Sequence, residues 1–279
     1  MDAFLLQHYE DALGTIFYGA IIVLALAEFV WPWRAARLPL LTRWSTNIGF
    51  GVIQALLGRV LLPIGLFQLS ILAHIQGWGL FNWIGAPALL SLVLGVLLLD
   101  LVKYWEHRIQ HMVPVLWRAH VVHHADLEVD FTTGFRHHPI EVIMVAVPSA
   151  AAVLIFGLSP GTIAVFQILA LTISIFSHVN VQLPAGLDRV LRLFIITPEV
   201  HVVHHSAHRV ETDSNYGLVF IWWDRLFGTY RAAPQEGVAM MQIGIEYFRD
   251  PADLRLDKAL WLPFKVPTEG QQPLPDRVA

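Results

Sequence analysis

Residues 142–187 read VIMVAVPSAAAVLIFGLSPGTIAVFQILALTISIFSHVNVQLPAGL and contain no Asp, Glu, Lys or Arg. A helix needs about 20 mostly apolar residues to cross a hydrocarbon core of about 30 Å, so this stretch is long enough to cross twice. Gly157-Leu158-Ser159-Pro160-Gly161 lies between its halves, and Gly and Pro at that density mark a turn. The reading is a hairpin of two crossings, over about Ile140 to Phe156 and Thr162 to Ser177.

Two further stretches lack charge, Ala12 to Ala27 and Val60 to Leu99. The first fits one crossing, with Glu28 near its end. The second exceeds one helix and is divided around Gln76 to Trp83. That predicts one crossing ending near Ala73 and another from about Ile84 to Lys103. Arg59 burdens the former, because charge inside a span is costly and tends to be buried against protein. That segment is either a crossing or a bent, partly interfacial helix. The expected fold is therefore all-α and integral to the membrane, with four to five transmembrane helices.

Composition agrees. The chain has 279 residues, 56% hydrophobic and 14% charged, against about 25% charged in a soluble domain. With a net charge of −4 it has neither the low hydrophobicity of a disordered chain nor the basic excess of a nucleic-acid partner. It has no cysteine, which excludes disulfides, thiolate zinc sites, iron–sulfur clusters and Cys nucleophiles. The N-terminal segment carries Asp2, Glu10 and Asp11 but no Lys or Arg, unlike a cleaved signal peptide. Arg34, Arg37 and Arg43 follow the first crossing, Lys103, Arg108, Arg118 and Arg136 follow the third, and charge is dense from Asp188. An N-outside, C-inside arrangement puts all three basic regions in the cytoplasm. The expected organisation is an N-terminal transmembrane region (1–93), a catalytic domain (94–235) and a C-terminal cytoplasmic tail (236–279). Pro263 to Ala279 is read as a surface tail.

Nine of the 14 histidines fall at or beyond the predicted cytoplasmic ends of crossings. His107 and His111 form HRIQH. His120, His123 and His124 form HVVHH, and His201, His204 and His205 repeat that pentad. His178 closes the last crossing. Residues three and four apart share a helix face, so each cluster can aim several imidazoles at one point. Imidazole suits Zn, Cu, Fe and Ni. Nine ligands exceed what one ion holds, so the count favours two metal ions in a helical cap. His8, His74 and His208 have no partner at ligand spacing. His137 and His138 precede Pro139, and His138, Glu141 and Asp224 are candidates to support the ligating imidazoles from behind.

The series HRIQH, HVVHH, RHHPIE, SHVN, TPEVHVVHHS and NYGLVFIWWDRLFGTY resembles the fatty acid hydroxylase/sterol desaturase superfamily, from about Leu94 to Arg231. The final third is most similar to bacterial sterol-desaturase-type proteins and the alkylglycerol monooxygenase branch. The resemblance implies a membrane non-haem di-iron oxidoreductase. It maps the eight box histidines onto the family's ligands and His178 onto an additional one. It also implies two iron ions, with zinc able to stand in an iron site of purified protein, O2 as co-substrate and a membrane lipid as substrate. No haem-binding module is evident, so electrons are expected from a separate donor, a cytochrome or ferredoxin-type protein or a reduced pterin. Trp222, Trp223, Phe227 and Tyr230 are expected to pack the cap onto the membrane face.

The expected reaction is O2-dependent hydroxylation of a fatty acyl, sterol or related C–H bond, in a bacterial inner membrane with the histidines facing the cytoplasm. Desaturation at the same centre is the alternative. A non-redox metal-binding or metal-transporting protein is the alternative of another class, although transport ligands belong near the bilayer midplane. A zinc hydrolase fits less well, because so many imidazoles leave little sign of an open three-ligand site. The segment Leu187 to Ile196, with Asp188, Arg189 and Arg192 among apolar residues, reads equally as an interfacial or a packing helix.

Overall fold

The computed structural model describes residues 2–266. Among these the chain is helical, with no strand beyond three isolated β-bridges. The first half comprises α1 (Asp2–Val30), α2 (Leu40–Leu61), α3 (Leu66–Ile75), α4 (Leu80–Trp83) and α5 (Ala88–Met112). Then come α6 (Pro114–His124), a 3-10 turn (Phe131–Phe135), α7 (Glu141–Phe156) and α8 (Pro160–His178). The cap is completed by α9 (Ala185–Leu191), α10 (Pro198–His204), α11 (Arg209–Thr212), α12 (Trp222–Leu226), α13 (Leu256–Ala259) and α14 (Leu262–Lys265).

Four segments are long and apolar enough to cross a membrane: His8–Val30, Leu40–Trp83, Ala88–Met112 and Pro160–His178. α7, at 16 residues, is shorter than a full crossing. The expected tight turn joins it to α8, but the two helices pack on α3 and α5 rather than pairing with each other as a hairpin. Gly157 closes α7 in the left-handed region at φ 66°, and Ser159 Oγ accepts the Thr162 amide at 3.1 Å with Pro160 at the first turn. Glycine is required at position 157 on a second count, because a Cβ there would lie 2.4 Å from the Trp78 carbonyl oxygen.

The second crossing differs from the sequence expectation. Charge-free composition begins at Val60, but the helix ends at Leu61. It begins at Leu40 and takes in Arg43, Thr46 and Asn47, all buried. Pro63 has no amide hydrogen to continue the ladder, and α3 is a separate ten-residue piece. Arg59 sits exposed in the last turn of α2 rather than buried within a span.

α1 packs on α8, α5 on α7 and α8, and α3 likewise on α7 and α8. Phe67, Val96, Leu99, Val153, Ile163 and Phe166 form their common core. Outward faces of α1, α2, α5 and α7 leave Ile22, Leu56, Leu90 and Val147 exposed, as lipid-facing surfaces do. Pro148 interrupts α7, and there the Val145 carbonyl receives both Ser149 Oγ at 3.1 Å and Lys103 Nζ at 3.0 Å. Asp100, fully buried in α5, accepts the Val219 and Phe220 amides at 3.0 Å and Trp223 Nε1 at 2.9 Å. A carboxylate inside a span thus fastens the cap loop to the bundle.

A second core, around Phe50, Trp117, Val121, Val122, Ile245, Leu254 and Leu262, lies in the cap. It corrects the expected tail. The described part of 236–279 packs: Ile245, Leu254, Ala259 and Leu262 are buried, and Arg118 donates to the Pro263 and Val266 carbonyls at 3.2 and 3.1 Å. Pro263 and Val266, assigned to a surface tail by composition, are buried. The rest of that expectation lies outside the described residues.

Candidate metal centre

α5, α6, α8 and α10 deliver all nine predicted histidines to one place at the cap end of the bundle. They divide into two groups, His107, His111, His120, His124 and His204 in one and His123, His178, His201 and His205 in the other. Within each group, one nitrogen per ring lies within 4.8 Å of every other. Both pentads split. Residues four apart stay together (His120 with His124, His201 with His205), whereas His123 and His204 cross to the opposite group. A helix turns about 100° per residue, so i+4 lies about 40° to one side of i and i+3 about 60° to the other, and the two adjacent histidines diverge by about 100°. α6 and α10 thereby each contribute to both groups.

The inner nitrogens are spaced as ligands are. In the five-histidine group, Nε2 of His107 lies 3.1 Å from that of His120 and 3.0 Å from that of His204, and His120 and His124 are 3.2 Å apart. In the four-histidine group, His178 Nε2 lies 3.3, 3.0 and 3.2 Å from those of His123, His201 and His205. Nitrogens sharing one ion at ~2.1 Å stand ~3.0–3.4 Å apart, the edges of an octahedron or tetrahedron.

The outer nitrogens say what the middle can hold. His107 Nδ1 is 2.9 Å from the Tyr216 carbonyl and His204 Nδ1 is 2.7 Å from the Ser214 carbonyl. A carbonyl only accepts, so each Nδ1 carries the hydrogen and, with one proton per ring, each Nε2 presents a bare lone pair. Two lone pairs 3.0 Å apart repel unless a cation sits against both. His178 repeats the pattern, with Nδ1 2.6 Å from the Ser174 carbonyl. His111 Nε2 is buried without any hydrogen-bond partner, as an atom awaiting an ion would be. Burial, reinforced by neighbouring imidazoles, pushes His123, His124, His201, His204 and His205 well below the usual imidazole value, which keeps them neutral and able to ligate. Burial lowers His120 too, with Glu141 opposing the shift. The donor set is nitrogen throughout, and it fits borderline transition metals such as iron or zinc.

Of the three candidate supporting residues, Glu141 contacts a ligand directly: its Oε2 lies 3.0 Å from His120 Nδ1, and its Oε1 accepts the His138 amide at 2.8 Å. Asp224 touches no imidazole. It accepts the Tyr216 and Gly217 amides at 2.8 Å, holding the loop whose Tyr216 carbonyl orients His107. His138 is a correction. Its Nε2 faces the Leu260 carbonyl at 3.2 Å and its Nδ1 accepts the Ile140 amide, so its ring serves the cap rather than the centre. Its neighbour His137 is the one at the centre, stacked on His123 with centroids 4.4 Å apart and Nδ1 3.4 Å from Glu141 Oε2. The spacing of four to Glu141 was the available signal. Sequence reasoning also missed Asp213, whose Oδ1 meets His111 Nδ1 at 3.3 Å. His8, His74 and His208 join neither group. The aromatic block meets the expectation in part: Phe227 stacks on Tyr104 at 5.2 Å and Trp223 reaches Asp100, both on α5, whereas Trp222 donates to the Leu193 carbonyl and Tyr230 lies under Arg225 within the cap.

A fatty acid hydroxylase family model matches residues 92–229. Similar proteins include alkylglycerol monooxygenase of Homo sapiens, 30% identical over 225 residues, which are 78% of this chain and 47% of that protein. Ornithine lipid hydroxylase of Rhizobium tropici is 28% identical over 149 residues, 53% of this chain and 44% of the relative. Cholesterol 25-hydroxylase of Mus musculus is 24% identical over 233 residues, 78% and 74% respectively. The chain spans about half the length of the first two of these relatives. No solved structure matches it.

Proposed function

This chain belongs to the fatty acid hydroxylase superfamily, and from that premise we propose that it hydroxylates a C–H bond of a membrane lipid at a two-iron centre. The balance is RH + O2 + two electrons + two protons to ROH + H2O, with the electrons from a separate donor protein or reduced cofactor. Iron, when bound, supplies the O2 reduction that an unactivated C–H bond demands and side chains alone cannot provide. The observation that carries the reading is the convergence of nine imidazole nitrogens at coordination spacing, with bare lone pairs of His107 and His204 facing each other.

The chain's own residues do the positioning. The Tyr216, Ser214 and Ser174 carbonyls fix which nitrogen of His107, His204 and His178 faces inward, and Glu141 does so for His120. Burial of the box histidines other than the half-buried His107 limits the access of bulk water to the reacting centre. The lipid enters from the bilayer, and its reacting carbon meets the centre at the membrane boundary, where α5 and α8 end. Residues 94–235 form the catalytic unit in this reading. Arg34, Arg37 and Arg43 join α5 and α8 at the cap end, and a basic cap end favours the cytoplasmic face of a bacterial inner membrane.

His124→Ala should abolish turnover and reduce bound iron while the protein still inserts. Full activity in a metal-depleted His124→Ala protein overturns the proposal. Lipid mass spectrometry of cells with and without the active gene should show products heavier by one oxygen. Loss of two hydrogens would instead assign desaturation.

A further inference from the structure

The C-terminal segment packs into the cap, yet it also turns an apolar face outward. Leu262 and Pro263 are buried, whereas Trp261 and Phe264 on either side are 61% and 64% exposed, with ring centroids 5.7 Å apart. Facing water alone, such a pair would be a liability. Beside it Arg255, Lys258 and Lys265 outnumber Asp257, and both lysines are exposed, so the segment is basic as well as aromatic.

Three contacts fix the height of this face on the bundle. A Cβ on Gly49 of α2 would lie 2.7 Å from Leu256 Cδ2, the Leu260 carbonyl is 3.2 Å from His138 Nε2, and Arg118 of α6 donates to the Pro263 and Val266 carbonyls. Gly49 and His138 stand at the cap ends of two outward stripes. On α2, Ile48, Val52, Leu56 and Val60 are exposed at a spacing of four; along α7, Ile140, Ile143 and Val147 are exposed at spacings of three and four. Residues so spaced share one helix face, and these two faces carry no charge, as lipid-facing surfaces do not. The segment therefore crosses the bundle at the level where its lipid-facing surface begins.

We infer that Trp261 and Phe264 insert into the headgroup–acyl boundary of the bilayer, which makes the C-terminal segment a membrane-surface anchor of the cap. Trp suits that depth because its ring is apolar and its N–H is polar, and lysines beside it extend their ammonium groups to lipid phosphates. The partner is the lipid surface itself. A protein seated on this face would have to share the bilayer with the stripes that start at Ile48 and Ile140. Residues 267–279 offer only Leu274 and Val278 as branched apolar side chains to cover two aromatic rings. The anchor reaches the metal centre at one remove, since Arg118 precedes His120 by two residues and His138 adjoins His137. A cap seated at a fixed depth keeps the histidines at the membrane boundary. The inference needs the membrane-spanning helices and not the oxidation chemistry.

The test uses the full-length protein, labelled with fluorotryptophan, in nanodiscs of phosphatidylcholine and phosphatidylglycerol. The fluorine resonance of Trp261 is assigned by its loss in Trp261→Phe. A lipid carrying a nitroxide near its headgroup should broaden that resonance several-fold more than a water-soluble gadolinium chelate does. Stronger broadening by the chelate puts the face in water and overturns the inference. Broadening by neither puts it under residues 267–279 or a second copy and overturns it equally. Because the chain has no cysteine, Phe264→Cys and Asp257→Cys each take a single spin label, and the Asp257 side chain is exposed on the same segment. Dissolved O2, relative to a water-soluble nickel chelate, should relax the label at 264 several-fold more than the one at 257. Equal behaviour of the two labels overturns the inference. Neither reading involves turnover, so a protein that anchors in this way yet oxidises no lipid fails the proposed reaction and not the anchor.

Discussion

The two histidine groups are built from the same residue type at similar spacing, yet they are held differently. In the five-histidine group, four outer nitrogens have an acceptor: the Tyr216 and Ser214 carbonyls, Asp213 and Glu141. In the four-histidine group only His178 has one, the Ser174 carbonyl, whereas Nδ1 of His123, His201 and His205 is buried without a partner. One site is oriented by hydrogen bonds and the other by packing, including the His137 ring against His123. A fixed tautomer and a basic partner raise ligand affinity. The five-histidine site should therefore bind metal more tightly, and the four-histidine site should empty first under a chelator.

The largest expected effect comes from removing a residue whose lone pair faces another. His204→Ala should reduce the metal content, measured by elemental analysis, from two ions to about one and abolish turnover. Retention of both ions would break the division into groups. Glu141→Gln should weaken the five-histidine site about 10–100-fold in competitive chelation and leave the four-histidine site within a few-fold. An equal loss at both sites would erase the contrast.

Acid separates metal binding from the ion pairs that hold the cap. Burial would raise Asp126, but Arg43 and Arg136 outweigh it and hold the carboxyl down at about 2, against 3.8 ordinarily. Its stabilisation is complete above pH ~4 and disappears as pH falls toward about 2, a loss of about 2 kcal/mol. Unfolding measured across that window should show the loss, and Asp126→Asn should not. The smallest effect distinguishes two neighbours: His137→Ala should loosen the four-histidine site modestly, and His138→Ala should leave metal content unchanged.

Eight of the nine histidines were legible because spacings of three and four on a helix follow a local rule and His178 because it closes a crossing, and the 157–161 turn was legible because Gly and Pro act locally too. What escaped depends on neighbours distant in sequence. Which of two adjacent histidines serves which group is decided by how α6 and α10 face each other. His137 rather than His138 reaches the centre because the His138 ring is held by the Leu260 carbonyl. The start of α2 was misplaced because Arg43 repels a hydropathy reading, whereas in the fold Asp126 and Asp130 neutralise it at 3.0 and 2.6 Å. The C-terminal segment looked like a tail because helices of four residues are too short to show a period.

The splitting of both pentads makes the centre a lacing between two helices rather than a pair of separate buckles. α6 and α10 each hold a strand of both knots, so parting them undoes both together. Thermal loss of metal and detachment of the cap should then occur as one cooperative transition, and a chain carrying a single ion should still keep α6 and α10 docked.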